Sequence, residues 1–169
     1  MSSPSGRTAL IAAAGDVVRE FTARAVLLQD TVARAAGLNP ADLQCANLLL
    51  LHGPMTPGEL ASLAGITVGG AVTGVVDRLE RAGLARRSRE ATDRRRVVVT
   101  ADAAGLWRRV GASYGRVAQH WNAFLDTLSD EQLEFADTLL RRASELNAEE
   151  IGRLRGTPVS TAVRAGTER

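Results

Sequence analysis

The sequence predicts a mostly α-helical fold with one small β-hairpin. Three observations lead to it. Two short helices are separated by a glycine turn, a β-branched run follows an arginine cluster, and long amphipathic helices lie on either side. Thr8 to Ala36 places Leu10, Ala14, Val17, Phe21, Ala25, Leu28, Val32 and Ala35 three and four residues apart, which is one face of a long helix closed by Gly37. Asn39-Pro40-Ala41-Asp42 reads as a helix start, with an Asn cap, Pro at the first helical position and an acid in the first turn. That helix runs to His52 and stops at Gly53-Pro54. Thr56-Pro57-Gly58-Glu59 is a capping box opening a helix to Ala64. Gly65 turns the chain, and Thr67 is the expected cap of a further helix to Ala82, ended by Gly83. Two helices joined by a short glycine-containing turn form a helix-turn-helix.

Val97-Val98-Val99-Thr100 predicts a strand, paired with Leu84 to Ser88 across a loop near Glu90 to Asp93. This hairpin makes the unit a winged helix-turn-helix. Asp102 is the expected cap of the next helix, on which Trp107, Val110, Tyr114, Val117, Trp121, Phe124 and Leu128 repeat in alternating steps of three and four. Such an aromatic stripe is ordinarily core. Ser129-Asp130-Glu131-Gln132 is a second capping box, before a helix with Leu133, Ala136, Leu140, Ala143, Asn147, Ile151 and Leu154 on one face. The expected organisation is a disordered start (1–7), a dimerisation helix (8–36), a winged helix-turn-helix (37–101), two dimerisation helices (102–155) and a disordered tail (156–169).

Composition narrows the function. With 169 residues, 45% hydrophobic and 24% charged, the chain is one globular domain or two small ones. All 21 basic residues are Arg. No apolar run approaches the roughly 18 residues of a membrane span, and Met1 to Arg7 carries no secretory pattern, so the expected compartment is the cytoplasm. The single cysteine, Cys45, excludes an internal disulfide framework and a zinc ribbon. Cys45 and His52 are seven residues apart, about 10.5 Å along a helix, too far to share a zinc ion, so no metal or cofactor is expected. No nucleophile–base pair or phosphate loop supports an enzyme; Gly69-Gly70 lacks the Lys and spacing of a P-loop.

Charge is unevenly spread. Arg78 to Arg96 holds eight Arg against Glu80, Glu90 and Asp93, a net of +5, while Asp126 to Ile151 is net −6. A short basic region on an otherwise acidic body suits phosphate contact. The helix from Thr67 would read DNA through its first turns, where Thr67, Val68, Gly69, Gly70, Thr73 and Gly74 are small enough to approach base edges, and its N-terminus favours a phosphate. Arg78, further along, is placed to reach a phosphate or a guanine. On the hairpin, Arg86, Arg94, Arg95 and Arg96 are the contact candidates, with Arg87 and Arg89 adding charge.

Gly37-Leu38-Asn39-Pro40, Gly53 to Ala61, Val72-Thr73, Asp77 to Leu84 and Asp93-Arg94-Arg95 together resemble the MarR family of bacterial transcription regulators. The resemblance covers roughly residues 37 to 105 and extends to the flanking helices by position and pattern. It implies a homodimer on a pseudo-palindromic duplex, with two recognition helices about 34 Å apart. It makes Arg95 the minor-groove residue, with Asp93 holding it by an ion pair. It also implies a repressor released when a small, often aromatic, ligand fills a crevice and changes the spacing of the two recognition helices. Arg24, His52, Trp107 and Tyr114 lie in suitable elements. Gly74 departs from the pattern, since relatives often carry Arg or another long polar residue there.

Two other readings stand beside this one. The hairpin arginines suit an acidic protein partner. Cys45 suits a redox-sensing regulator, although no Arg or His lies within one helical turn to lower its pKa, Asp42 acts the other way, and a buried inert thiol is the simpler expectation.

Overall fold

The computed structural model describes residues 4–90, 93 and 95–156. The element order is α1 (Pro4–Ala35), α2 (Pro40–His52), α3 (Pro57–Ala64), α4 (Gly70–Arg81), β1 (Ala85–Arg89), β2 (Val97–Ala101), α5 (Ala103–Leu125) and α6 (Asp130–Leu154). Helix α1 begins at Pro4, so part of the start expected to be disordered is helical. Of the expected tail only Gly156 lies within the described residues.

The caps at Asn39, Thr56, Asp102 and Ser129 are those the sequence announces. The Asn39 side chain accepts from the Ala41 N–H at 2.9 Å. Thr56 and Ser129 each form a complete capping box, with Glu59 and Gln132. The Asp102 carboxylate accepts from the Gly105 N–H at 2.7 Å and so starts α5.

Two compact units result, Met1–Val117 and Ala118–Arg169. The division falls inside α5, not ahead of it. Leu106 and Val110 in its first half join the first unit's core, whereas Trp121 and Phe124 in its second half are exposed and stack edge to face, 6.3 Å between centroids. The stripe is therefore divided: Val110 is core and Tyr114 packs against it, whereas Trp121 and Phe124 are not core. Even Trp107, in the first half, is 65% exposed.

The first unit's core gathers Leu43, Cys45, Ala46 and Leu49 of α2, Leu60 and Ala61 of α3, Val72, Val75, Val76 and Leu79 of α4, and Leu84 and Val99 of the hairpin region. Helix α1 contributes only its last turns, through Val32 and Ala33. The hairpin is antiparallel, with Ala85 opposite Ala101, Arg87 opposite Val99 and Arg89 opposite Val97. Met55 adds a one-residue bridge: its N–H donates to the Val99 carbonyl at 3.1 Å and its carbonyl accepts from the Val99 N–H at 2.8 Å. The Gly53-Pro54-Met55 turn has no strand pattern, so this link between the wing and the α2–α3 turn is invisible in the sequence.

Besides Leu106 and Val110, two close contacts tie the first half of α5 to the first unit. The Arg109 Nε donates to the Ala36 carbonyl at 2.9 Å, satisfying a backbone acceptor just beyond the end of α1. Gly105 presses so close to the turn after α4 that an added Cβ would overlap the Gly83 carbonyl oxygen. Gly105→Ala is expected to destabilise the protein by about 1–3 kcal/mol in urea unfolding. Gly115→Ala, on the same helix with open space around it, should be neutral or stabilising by up to about 1 kcal/mol. Equal effects at the two positions would refute the close-contact account.

Candidate nucleic-acid interface

Helix α4 buries Val72, Val75, Val76 and Leu79 and turns the opposite face outward. That outer face is Gly70, Ala71, Thr73, Asp77, Arg78 and Arg81, with Gly74 half-buried. The helix cap is Gly69, at φ +114°, and not Thr67. The reason is local. Gly65 takes the left-handed conformation, the Ile66 N–H returns to the Ala61 carbonyl, and Thr67 and Val68 are spent crossing to α4. Thr67, Val68, Gly69 and Gly70 are thus an exposed approach to the helix, and no side chain caps its first N–H groups.

The arginines divide by what they already touch. Arg78 donates through Nε and Nη2 to the two carboxylate oxygens of Asp42, at 2.8 and 2.7 Å. Asp42 is buried on α2, so this pair joins the candidate recognition helix to the core. Arg87 pairs with Asp77 at 2.7 Å and with Glu80, and its own backbone N–H donates to Glu80 at 2.6 Å. The register explains this inward turn. Arg87 lies opposite the buried Val99, so its side chain shares the face of the hairpin that meets α4. Arg86 alternates to the other face and is exposed. Arg96 bridges Glu59 of α3 at 2.7 Å and Glu90 at 3.3 Å, anchoring the base of the wing. The Thr56 backbone N–H and hydroxyl bonds, followed by Arg96, hold the Glu59 carboxyl below its ordinary pKa.

At the tip, Asp93 shapes the backbone in place of an ion pair with the Arg95 side chain. Its Oδ1 accepts from the Arg95 N–H at 2.9 Å, and its carbonyl accepts from the Arg96 N–H at 2.9 Å. A carboxylate two residues ahead of an N–H closes a turn more readily than it reaches a guanidinium. Arg95 stands exposed on that turn. Among the described residues neither Arg86 nor Arg95 makes an ion pair; Arg94 lies outside them.

A second feature lies between α2 and the first half of α5. An apolar cavity of about 590 Å³ is lined by Asn47, Leu50, Leu51, Ala103, Leu106, Trp107, Val110 and Tyr114. Two of the four ligand candidates, Trp107 and Tyr114, are there. The other two are not. His52 is exposed at the end of α2, and Arg24 lies on α1 beside Val17 and Phe21, paired with Glu20. Sequence reasoning does not single out Leu50 and Leu51, yet a signal is present: Leu48 to Leu51 is more apolar than a one-sided helix requires.

Cys45 is fully buried, and burial, with Asp42 next, pushes its thiol up to about 11. The fold does bring an arginine near it, since Arg78 reaches Asp42 from α4. That charge opposes the shift without overcoming it. Among the described residues no cluster of three His, Cys, Asp or Glu is placed to hold a metal, and no helix is long and apolar enough to cross a membrane.

Comparison with known proteins places this geometry. The MarR family profile matches residues 36–96. YcgE of Bacillus subtilis (strain 168), an uncharacterised HTH-type transcriptional regulator, is 34% identical over 155 residues, 92% of this chain and 99% of its own. Among solved structures, a point mutant of MepR from a multidrug-resistant S. aureus clinical isolate superposes with a TM-score of 0.64 at 21% identity, covering 78% of this chain and 96% of that one. A MarR family protein of Bacillus stearothermophilus gives 0.63 at 22% identity, covering 82% and 95%. NadR, solved in complex with 4-hydroxyphenylacetate, gives 0.54 at 26% identity, covering 75% and 89%. With its winged helix-turn-helix, its motifs and its near full-length likeness to a regulator of that class, the chain belongs to the MarR family of DNA-binding transcriptional regulators.

Proposed function

We propose that this regulator binds a pseudo-palindromic operator as a homodimer and represses until a small aromatic ligand releases it. The observation that carries the DNA contact is the shared exposure of the small-residue face of α4 and of Arg86 and Arg95 on the wing. Thr67, Val68, Gly69, Gly70, Thr73 and Gly74 would lie in the major groove, where small side chains allow close approach to base edges. Arg95, raised on the tip turn, would enter the flanking minor groove, and Arg94, its neighbour in sequence, would add charge to the contact. Arg96 is largely taken up by Glu59 and Glu90 and would contribute less.

Dimerisation is supported by exposed apolar surface in both units. Leu10, Val17 and Phe21 on α1 are exposed, and so are Leu140, Ile151 and Leu154 on α6. Faces of this kind on a regulator mark an association surface. For the ligand, the cavity is apolar except for Asn47 and Tyr114, which fits a flat ring bearing one or two polar groups. The complex of the related NadR with 4-hydroxyphenylacetate supports the same class. Release requires only that the ligand bind differently to the two spacings of the recognition helices. The alternative, an acidic protein partner at the wing, is favoured by Arg86 and Arg95 alone.

Fluorescence anisotropy against the duplex upstream of its own gene, with a scrambled duplex as control, tests the reading. Specific binding should fall steeply with salt, and Arg86→Ala and Arg95→Ala should each lower the salt slope by about 1. Absence of binding at low salt would leave the protein-partner reading. Titrating 4-hydroxyphenylacetate as a phenolic probe should release the duplex, and Tyr114→Phe should weaken the probe by about fivefold to tenfold while leaving DNA affinity unchanged. A Tyr114→Phe protein with wild-type response would remove Tyr114 from the site.

The burial of Cys45 makes a prediction contrary to the redox reading. With its thiol near 11, Cys45 should resist iodoacetamide at pH 8 in the native protein and react only after unfolding, and peroxide should leave DNA binding intact. Rapid native alkylation would revive it.

A further inference from the structure

The outer face of α4 presents a puzzle for a DNA reader. Its leading residues are glycine, alanine and threonine, which offer few hydrogen bonds to a base. Arg81 turns back on its own helix, its Nε donating to the Asp77 carbonyl at 3.3 Å. Arg81 sits at the far end of α4; Arg78 is the long donor one turn from the small residues, and it is held in an unusual way.

Its guanidinium meets Asp42 side-on. Nε and Nη2 donate to the two oxygens of a carboxylate that is only 5% exposed, while the arginine side chain remains 44% exposed. A guanidinium has two bidentate edges. Side-on pairing consumes the Nε–Nη2 edge and leaves Nη1, with the second N–H of Nη2, for another acceptor. Nη1 itself lies close over α4. A Cβ built on Gly74, one turn earlier in α4, would lie 3.3 Å from Nη1. The guanidinium therefore runs over Gly74 toward the N-terminal part of the helix, along the small-residue face. Gly74, which departs from the family pattern, makes room for it.

We propose that Arg78 reads a base through its free edge and that Asp42, buried on α2 and unable to reach DNA, is the positioning residue that aims it. The inference rests on the DNA-binding reading above. Two parallel donors match the N7 and O6 acceptors of guanine in the major groove. A base, not a phosphate, is the fitting partner. The Asp42–Arg78 pair is neutral as a unit, so it gains little from the charge of the backbone, whereas its fixed donors are directional. Holding the side chain beforehand also removes the entropy that a free arginine loses on binding. Selectivity on α4 thus depends on a carboxylate from a different helix.

The test uses the full-length protein and a random-sequence duplex pool. Wild type is expected to enrich a two-fold motif. Arg78→Lys keeps the charge and a partner for Asp42 but has no second edge, so it should lose the preference at one base pair in each half-site. Asp42→Asn should lose it at the same base pair. Each should bind the selected duplex about tenfold more weakly, with affinity for a scrambled duplex within about twofold of wild type. Gly74→Ala provides a variant that folds readily. It replaces glycine by a better helix former while crowding Nη1, so it should melt at or above the wild-type temperature yet weaken the same base preference. If Asp42→Asn does not fold, Arg78→Lys and Gly74→Ala decide the matter on that criterion.

Four results would overturn the proposal. Unchanged motifs in Arg78→Lys would remove the base contact. A uniform loss on all duplexes with a lower salt slope would make Arg78 a phosphate contact. A folded Asp42→Asn with the full wild-type motif, or one whose losses on selected and scrambled duplexes are equal and follow its melting temperature, would reduce Asp42 to a structural role. Enrichment of no sequence by wild type would instead remove the DNA reading on which the proposal stands.

Discussion

The structure depends on burying one face of a twelve-residue helix while keeping the other free. Val72, Val75, Val76 and Leu79 of α4 are covered by α2, α3 and the base of the wing. Burying each such side chain contributes about 1.5–3 kcal/mol, far more than the intrinsic helix tendency of a segment containing Gly70 and Gly74. Tertiary packing holds this helix in place of local propensity. The consequence is functional. Glycines that would weaken an isolated helix are tolerated on the outward side, where they keep the surface low and open.

Around this core the charges have two separate duties. Arg87 and Arg96 pair with Asp77, Glu80, Glu59 and Glu90, and they fix the wing against α4 and α3. Exposed pairs of this kind add little stability one at a time, but a network sets orientation. Arg86 and Arg95 remain on the outside of the same hairpin. The division follows from strand alternation: Arg87 shares its face with Val99, and Arg86 does not. A cluster that reads as one basic patch in the sequence is therefore part scaffold and part surface. The net charge of the segment alone overstates what is available to a phosphate.

The apolar cavity between α2 and α5 and the buried Asp42 belong to the same helix. Leu50 and Leu51 line the cavity at one end of α2, and Asp42 meets Arg78 near the other. The helix is short and well packed, with Leu43, Cys45, Ala46 and Leu49 inside. Core packing of this density leaves little room for change within the helix, so a shift of α2 would move it as a piece.

Much of this is present in the residues alone. The Asn39, Thr56, Ser129 and Asp102 caps, the Gly65 turn and the Val97–Ala101 strand are local signals, and each element lies where they place it, because capping and turn chemistry act within a few residues. The family likeness rests on those same short motifs. Other features require the chain to fold. Thr67 gives way to Gly69 as a cap because the path from Gly65 to α4 is set by packing. Asp93 turns to the backbone. Trp107 and Tyr114 come to a shared cavity while Arg24 and His52 do not. Above all, Asp42 and Arg78 are 36 residues apart, and nothing in the spacing of either announces the other. Contacts between distant residues depend on how helices cross, which periodicity does not encode. Local residue patterns specify which segments are helix, turn and strand; packing between distant elements settles which arginines are held and which are left to meet a partner.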